Sequence, residues 1–277
     1  MIETAVIMAA GKGTRFGSMT ETKPKGFIEF KGIPMVIRSI ENLISAGIKK
    51  IIIGTGYHRE WYDNLAEKYP QIQTVFSPRF AETNSMETLS RCKNAIGDDD
   101  FLLLESDIVY EQKALTSLFE DPHPDIMLVT PVNKFQDQYY IACDDEGNLL
   151  KCSTNKDTIL SETGNEPIGE LVGIHKLSNA FYKNMLATYE HQIKWEEFFQ
   201  NNSYPEKVGY EYIIEDVATW MPLAAGIADQ YGNTPEYPSD KISSRLPLYV
   251  IIENNLQWYE IDDEKDLEFA EHNINII

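Results

Sequence analysis

Two groups of residues in this chain have types and spacings suited to chemistry. The first runs from Ala9 to Phe30, AAGKGTRFGSMTETKPKGFIEF. Gly11, Gly13 and Gly17 let the backbone turn sharply and come close to a ligand. Between residues 12 and 25, Lys12, Arg15, Lys23 and Lys25 are opposed only by Glu21. Free backbone N–H groups beside concentrated positive charge are what a polyphosphate needs. A P-loop would need glycine at position 16 and lysine at 17, and a Rossmann fingerprint would need glycine at 16. The chain has Phe16 and Gly17, so neither motif fits. The second group is acidic. Glu105, Ser106 and Asp107 follow the apolar run Phe101–Leu104, and Glu260, Asp262 and Asp263 follow Trp258-Tyr259. A carboxylate delivered by a buried strand costs free energy unless it is paired or binds a metal. Mg²⁺ takes hard oxygens and usually one or two protein carboxylates, which makes Asp107 a candidate ligand. Alone, Asp262 reads as a helix N-cap; beside Asp107 it is the second carboxylate for one Mg²⁺.

These residues need elements to position them. Ala5–Met8 reads as a buried parallel strand leading into the glycine loop. Phe27–Phe30 is a short extended piece, and Pro34 opens a helix at its first turn, with a stripe of Val36, Ile40, Leu43 and Ile44 ended by Gly47. Ile51–Ile53 is a second buried strand. Strand, helix, strand predicts a parallel sheet with a right-handed crossover. Gly54-Thr55-Gly56-Tyr57 leaves that strand at the edge where α/β sheets bind ligands. It is either a base-contacting loop or a plain strand-to-helix turn. A helix follows through Trp61, Leu65 and Tyr69, then a strand over 73–76. Asn84 and Glu87 have capping-box spacing ahead of a face of Met86, Leu89, Cys92 and Ile96. Asn84 and Ser85 either cap that helix or also touch a nucleotide.

The second half changes pattern. Ile126–Val129 is a core strand, and Tyr139–Cys143 with Leu149–Cys152 reads as a β-hairpin. Residues 153–167 read as loop, Leu171–Ile174 as a strand and 178–199 as helix. Tyr212–Met221 reads as a short helix stopped by Pro222. Its Glu215 and Asp216 are a solvated face or a seat for a cation. Pro247–Ile252 and Leu256–Ile261 read as a last hairpin around Glu253-Asn254-Asn255, followed by a helix from Lys265 to His272.

The 277 residues are 43% hydrophobic, enough for one large domain or a domain with an appended lobe. Net charge is −20, from 24 basic and 44 acidic residues, which disfavours nucleic acid and anionic membrane as partners and makes the basic cluster at 12–25 stand out. Cys92, Cys143 and Cys152 are odd in number and lack metal-ligand spacing, which points to a reduced, cytoplasmic protein. No apolar run approaches a membrane span.

The AAGKGTR…KPK loop, the strand ending in Ser106-Asp107 and the YEID segment before a helix resemble the sugar-phosphate nucleotidyltransferase superfamily. GTGYHREWYD, SPRFAETNSM, FLLLESDIVYE and WYEIDD look most like its CTP-using branch, which includes phosphocholine cytidylyltransferases and 2-aminoethylphosphonate cytidylyltransferases fused to a transaminase. The resemblance implies an α/β fold, a Rossmann-like, mostly parallel sheet flanked by helices with a smaller acceptor-binding lobe. It implies one domain over 1–272: 1–125 mainly for nucleotide, 126–246 mainly for acceptor, and 247–272 returning a metal-binding strand and helix. Residues 273–277 are then the start of a linker. It implies that Ala9, Ala10, Gly11, Gly13, Thr14 and Arg15 wrap the CTP phosphates, with Ala9, Gly56, Tyr57, Asn84 and Ser85 around the cytidine. Arg15 and Lys25 neutralise transition-state charge, and Asp107 and Asp262 hold Mg²⁺. Lys156 matches an acceptor-phosphonate lysine, and Ser106 falls within the matching Ser-Asp motif. For the acceptor's cation, Glu170, Glu215 and Asp216 suit a primary ammonium, while Tyr139, Tyr140, Tyr212 and Trp258 suit a trimethylammonium. The product is CMP-2-aminoethylphosphonate for cell-surface decoration, or CDP-choline. A non-catalytic nucleotide-binding domain is the rival from another class, and it could dispense with Arg15, Lys25, Asp107 and Asp262.

Overall fold

A computed structural model of the chain describes residues 2–132, 138–199, 208–219 and 246–276. Its strands are β1 (Thr4–Ala9), β2 (Glu29–Phe30), β3 (Ile33–Pro34), β4 (Lys50–Thr55), β5 (Ile72–Phe76), β6 (Phe101–Glu105), β7 (Ile108–Tyr110), β8 (Ile126–Thr130), β9 (Tyr140–Cys143), β10 (Leu149–Ser153), β11 (Gly169–Leu177), β12 (Tyr249–Ile252) and β13 (Trp258–Glu260). The helices that bear on the site are α1 (Met35–Ser45), α2 (Arg59–Lys68), α3 (Ser85–Arg91), α4 (Lys93–Ile96), α5 (Lys113–Glu120), α6 (Lys156–Thr163), α7 (Asn179–Phe199), α8 (Tyr210–Thr219) and a C-terminal helix, Glu264–Asn273.

β5, β4, β1 and β6 lie side by side and parallel; β4, β1 and β6 carry the apolar runs of strands covered on both faces, and β5, IQTVF, is the half-exposed edge. Beyond β6 the sheet turns antiparallel through β11, β9 and β10, with β8 on β11 and β12 parallel to β8. Successive side chains of β1 and β4 feed two cores. Val6, Met8 and Ile52 pack with α3, α7 and α8. Ala5, Ile7, Ile51 and Ile53 pack with α1, α2 and α5. The period of two therefore places helices on both faces.

Three expectations change. Residues 153–167 are not all loop: α6 is capped at its start by Asn155, whose side chain accepts from Asp157 N, and ended by Gly164 at φ 73°. Only Ile159 of that helix is buried, so its apolar periodicity is faint. Pro34 sits in β3 and precedes the helix, its ψ of 136° being extended. The last two strands do not form a hairpin with each other. β12 joins β8 in the main sheet, while β13 leaves it to pair antiparallel with β7. Asn255, at φ 65°, redirects the chain between them. The helix containing Glu215 and Asp216 is present, but Met221 and Pro222 lie outside the described residues.

Candidate active site

The glycine loop leaves β1 and turns at Gly13, whose φ of 61° and ψ of 41° are left-handed. A side chain there would meet Lys25 Cβ at 2.9 Å, so the two halves of the basic motif lie against each other. Thr20 Oγ1 donates to the Gly13 carbonyl at 3.0 Å and closes the turn. Phe16, the residue that breaks both common phosphate-loop patterns, is 1% exposed. It is an anchor, packed with Ile28, Phe30, Met35, Val109, Tyr259 and Ile261.

The acidic residues converge from far apart in sequence. Ser106 N donates to Met8 O at 3.2 Å, which fixes the end of β6 beside the end of β1. β13 pairs Glu260 with Ile108 of β7, and Ile261 N donates to Asp107 O at 3.0 Å. Carboxylate oxygens of Asp107, Glu260 and Asp262 thereby lie within 4.8 Å of one another. The N-cap role falls to Asp263, whose side chain accepts from Lys265 and Asp266 N, leaving Asp262 for the cluster.

Lys25 Nζ donates to Asp107 Oδ2, and to Asp262 Oδ1 at 2.7 Å. Arg15 Nη2 donates to the same Asp262 oxygen at 2.8 Å. Burial alone would lower the Lys25 pKa, but Asp107, Asp262 and Glu260 outweigh it and hold the ammonium above the ordinary lysine range. Among the described residues Asp107 Oδ1 is buried with no hydrogen-bond partner. An orphaned hard oxygen beside two more carboxylates fits a divalent cation of the Mg²⁺ type.

A cleft of about 420 Å³ gathers Ala9, Ala10, Gly11, Gly13, Thr14, Arg15, Lys25, Asn84, Ser85, Ser106, Asp107 and Asp262 along its walls. Asn84 caps α3 by accepting from Ser85 N at 2.7 Å. Glu87 does not complete the capping box; it pairs with Arg91 and accepts from Tyr189 Oη at 3.1 Å. Gly56 and Tyr57 stand behind the wall. Tyr57 N donates to Ala10 O at 3.1 Å, and a side chain at Gly56 would lie 2.5 Å from that carbonyl and 2.6 Å from the Phe80 ring. Gly56→Ala is therefore expected to destabilise the fold by about 1–3 kcal/mol and weaken nucleotide binding, because backbone and ring must both yield. Urea unfolding and a CTP titration check this.

The remaining candidates lie apart from the cleft lining. Lys156 is exposed at the start of α6 and pairs with Glu166 at 3.2 Å. Glu170 is fully buried in β11, opposite Thr130 and Tyr140. Tyr140 is half-buried in β9 and accepts from Gln138 Nε2. Asp216 accepts from Gln192 Nε2 at 2.7 Å, and Glu215 binds Lys151 Nζ and Cys152 N, each at 2.8 Å. Trp258 is buried and donates to Thr130 Oγ1 at 2.9 Å. Tyr139 does line the cleft, with Tyr62, Phe80, Thr83, Thr88, Glu105, Gly209, Glu211 and Glu260, none of which the motifs singled out as site residues except Tyr139. Glu260 was findable: it sits two residues from Asp262, on one face of an extended segment. Glu211 comes from the first turn of α8, which hangs from α3 through Tyr210 N donating to Ser85 Oγ at 3.0 Å. Burial pushes the Glu211 carboxyl up to about 7.

Comparisons with known proteins agree with this architecture. Residues 4–138 match the family described as Nucleotidyl transferase. The chain is 33% identical over 105 residues to a 2-aminoethylphosphonate cytidylyltransferase of Lancefieldella rimae, covering 38% of this chain and 43% of that one. It is 38% identical over 94 residues to a choline-phosphate cytidylyltransferase of Streptococcus pneumoniae, covering 34% and 41%. The aligned stretches thus span less than half the length of either relative. The solved CTP:phosphocholine cytidylyltransferase from Streptococcus pneumoniae superposes with a TM-score of 0.70 at 19% identity, covering 98% of this chain and 99% of that one, a likeness of fold. Among the described residues no helix is long and apolar enough to cross a membrane. The glycine loop with Lys25 and Asp107 falls inside residues 4–138, the segment that matches the nucleotidyl transferase family.

Proposed function

We propose that this protein is a Mg²⁺-dependent cytidylyltransferase that moves CMP from CTP to 2-aminoethylphosphonate and releases pyrophosphate. The observation that carries the reading is the ion network in which Lys25 bridges Asp107 and Asp262 while Arg15 shares Asp262, all beside the glycine loop. The cytidylyltransferases among its relatives supply the nucleotide and the kind of acceptor.

A phosphonate oxygen of the acceptor attacks the α-phosphorus of CTP. The new P–O bond forms as the bond from that phosphorus to the bridging oxygen breaks, and pyrophosphate departs with the electron pair. The nucleophile is anionic at neutral pH, so no general base is needed. What the chain supplies is alignment and charge. The glycine loop offers backbone N–H groups to the phosphates. Lys25 and Arg15 stand where negative charge accumulates. Asp107 and Asp262, with Glu260 adjoining, would hold Mg²⁺, which when bound supplies Lewis-acid neutralisation of phosphate charge.

Pyrophosphate release tests the reading. Turnover is expected with CTP and 2-aminoethylphosphonate, to exceed that with UTP, GTP or ATP, and to vanish with EDTA and return with Mg²⁺. Turnover with phosphocholine alone keeps the mechanism and makes phosphocholine the acceptor. Tight CTP binding with no turnover on either acceptor sinks the enzyme reading.

A further inference from the structure

The cleft contains two carboxylates that the phosphate chemistry leaves unused. Glu105 arrives at the end of β6, and Glu211 arrives from the first turn of α8, more than one hundred residues later. Both lie in each other's field. Among the described residues neither has an ion pair with lysine or arginine, since the cleft's own cations, Arg15 and Lys25, bind Asp262 and Asp107. The Tyr210 side chain, 0% exposed, packs beside them, and its hydroxyl lies in the field of both carboxylates, nearest Glu105. Desolvated neighbouring carboxylates without a counter-ion are costly to ionise, and a ligand that brings a cation offsets that cost.

Gly209 shapes this corner. A side chain there would lie 2.3 Å from Glu211 Oε2, so the carboxylate folds over the bare backbone of Gly209. The clashing atom is the free end of a flexible side chain, so a methyl group at 209 displaces the carboxylate without breaking the fold. Among the described residues the cleft lining holds three rings, Tyr62, Phe80 and Tyr139, and Tyr139 packs edge-on against Tyr212 at 6.0 Å. Of the four candidates for a trimethylammonium only Tyr139 is in that lining; Tyr62 brings its hydroxyl close to Gly26, and Phe80 packs close to Gly56. A quaternary ammonium needs several ring faces, whereas a primary ammonium has three N–H donors that need acceptors.

We infer that Glu211, seated over Gly209, and Glu105 together receive the primary ammonium of the acceptor and select it against both uncharged and quaternary analogues. This rests on the acceptor reading above. Both are specificity residues.

The test measures pyrophosphate release at saturating CTP with 2-aminoethylphosphonate, ethylphosphonate and phosphocholine. Wild type should prefer 2-aminoethylphosphonate. Glu211→Gln should raise its KM by roughly 10- to 100-fold, the loss of a hydrogen bond between charged groups. The KM for CTP should stay unchanged, kcat should change little, and the preference over ethylphosphonate should shrink by the same factor. Gly209→Ala should move the same KM in the same direction, with the circular dichroism spectrum intact. An unchanged acceptor KM in both variants, with an active wild type, places the ammonium elsewhere and overturns the inference. Wild-type preference for phosphocholine overturns it as well. A wild type that binds CTP but turns over none of the three acceptors overturns the functional reading, and this one with it.

Discussion

Lys25→Met is expected to lower kcat by on the order of 10²- to 10³-fold and, at the same time, to tighten binding of a divalent cation in the absence of nucleotide. The two effects have one cause. Lys25 is the cation that Asp107 and Asp262 share in the free protein, and its side chain is 12% exposed. Any metal ion entering that cluster must compete with it. Methionine keeps the length and the packing of the stem but removes the charge. The transition state then loses a preorganised positive group, while the carboxylates lose their resident partner. Two buried anions left together also weaken the fold, and a cation that binds only the folded form restores it. Added Mg²⁺ should therefore raise the melting temperature of Lys25→Met by several degrees more than that of wild type. Mn²⁺ titration, thermal melts and single-turnover kinetics read the three effects separately. Unchanged turnover removes Lys25 from the chemistry, and unchanged metal affinity removes it from the cluster.

How much of this was legible in the sequence depends on how local each signal is. The glycine loop, Lys25, Asp107 and Asp262 stand out because each follows an apolar strand or breaks an acidic background, and both features belong to a few neighbouring residues. In a parallel sheet, strand ends collect at one edge, so β1 and β6 deliver their residues to one place without further information. Asp262 reaches the same edge by a different route. β13 is antiparallel to β7 and lies outside the main sheet. The turn at Asn254-Asn255 looks like a hairpin turn, and nothing local reveals that β12 is claimed by β8 and β13 by β7. Gly209 and Glu211 carry no motif at all. They matter because Val208 O and Tyr210 N bond the start of α3, a contact across more than one hundred residues. Phe16 could be read only as a broken motif until its burial under Tyr259 and Ile261 gave it a structural role.

Asp107→Asn and Asp262→Asn are each expected to lower turnover by on the order of 10²-fold or more, and their combinations with Lys25→Met should distinguish their roles. Asparagine keeps the shape and one acceptor oxygen but removes the charge. Asp262 is 6% exposed at its side chain and binds both Arg15 and Lys25 through one oxygen, so its loss loosens both cations at once and leaves Lys25 on Asp107 alone. Asp107 binds Lys25 through one oxygen and leaves the other without a partner among the described residues, so its loss falls mainly on the metal. Groups that act as a unit do not add. Lys25→Met on the Asp262→Asn background should therefore cost clearly less than the product of the two single effects, a coupling of about 0.5–3 kcal/mol. With Asp107→Asn, rising Mg²⁺ should recover part of the lost turnover, because Glu260 and Asp262 remain within reach of the ion. With Asp262→Asn the recovery should be smaller, since added metal does not replace the alignment of Arg15. Strict multiplication of the single effects, or equal recovery in the two variants, would mean that the cluster is not one working unit.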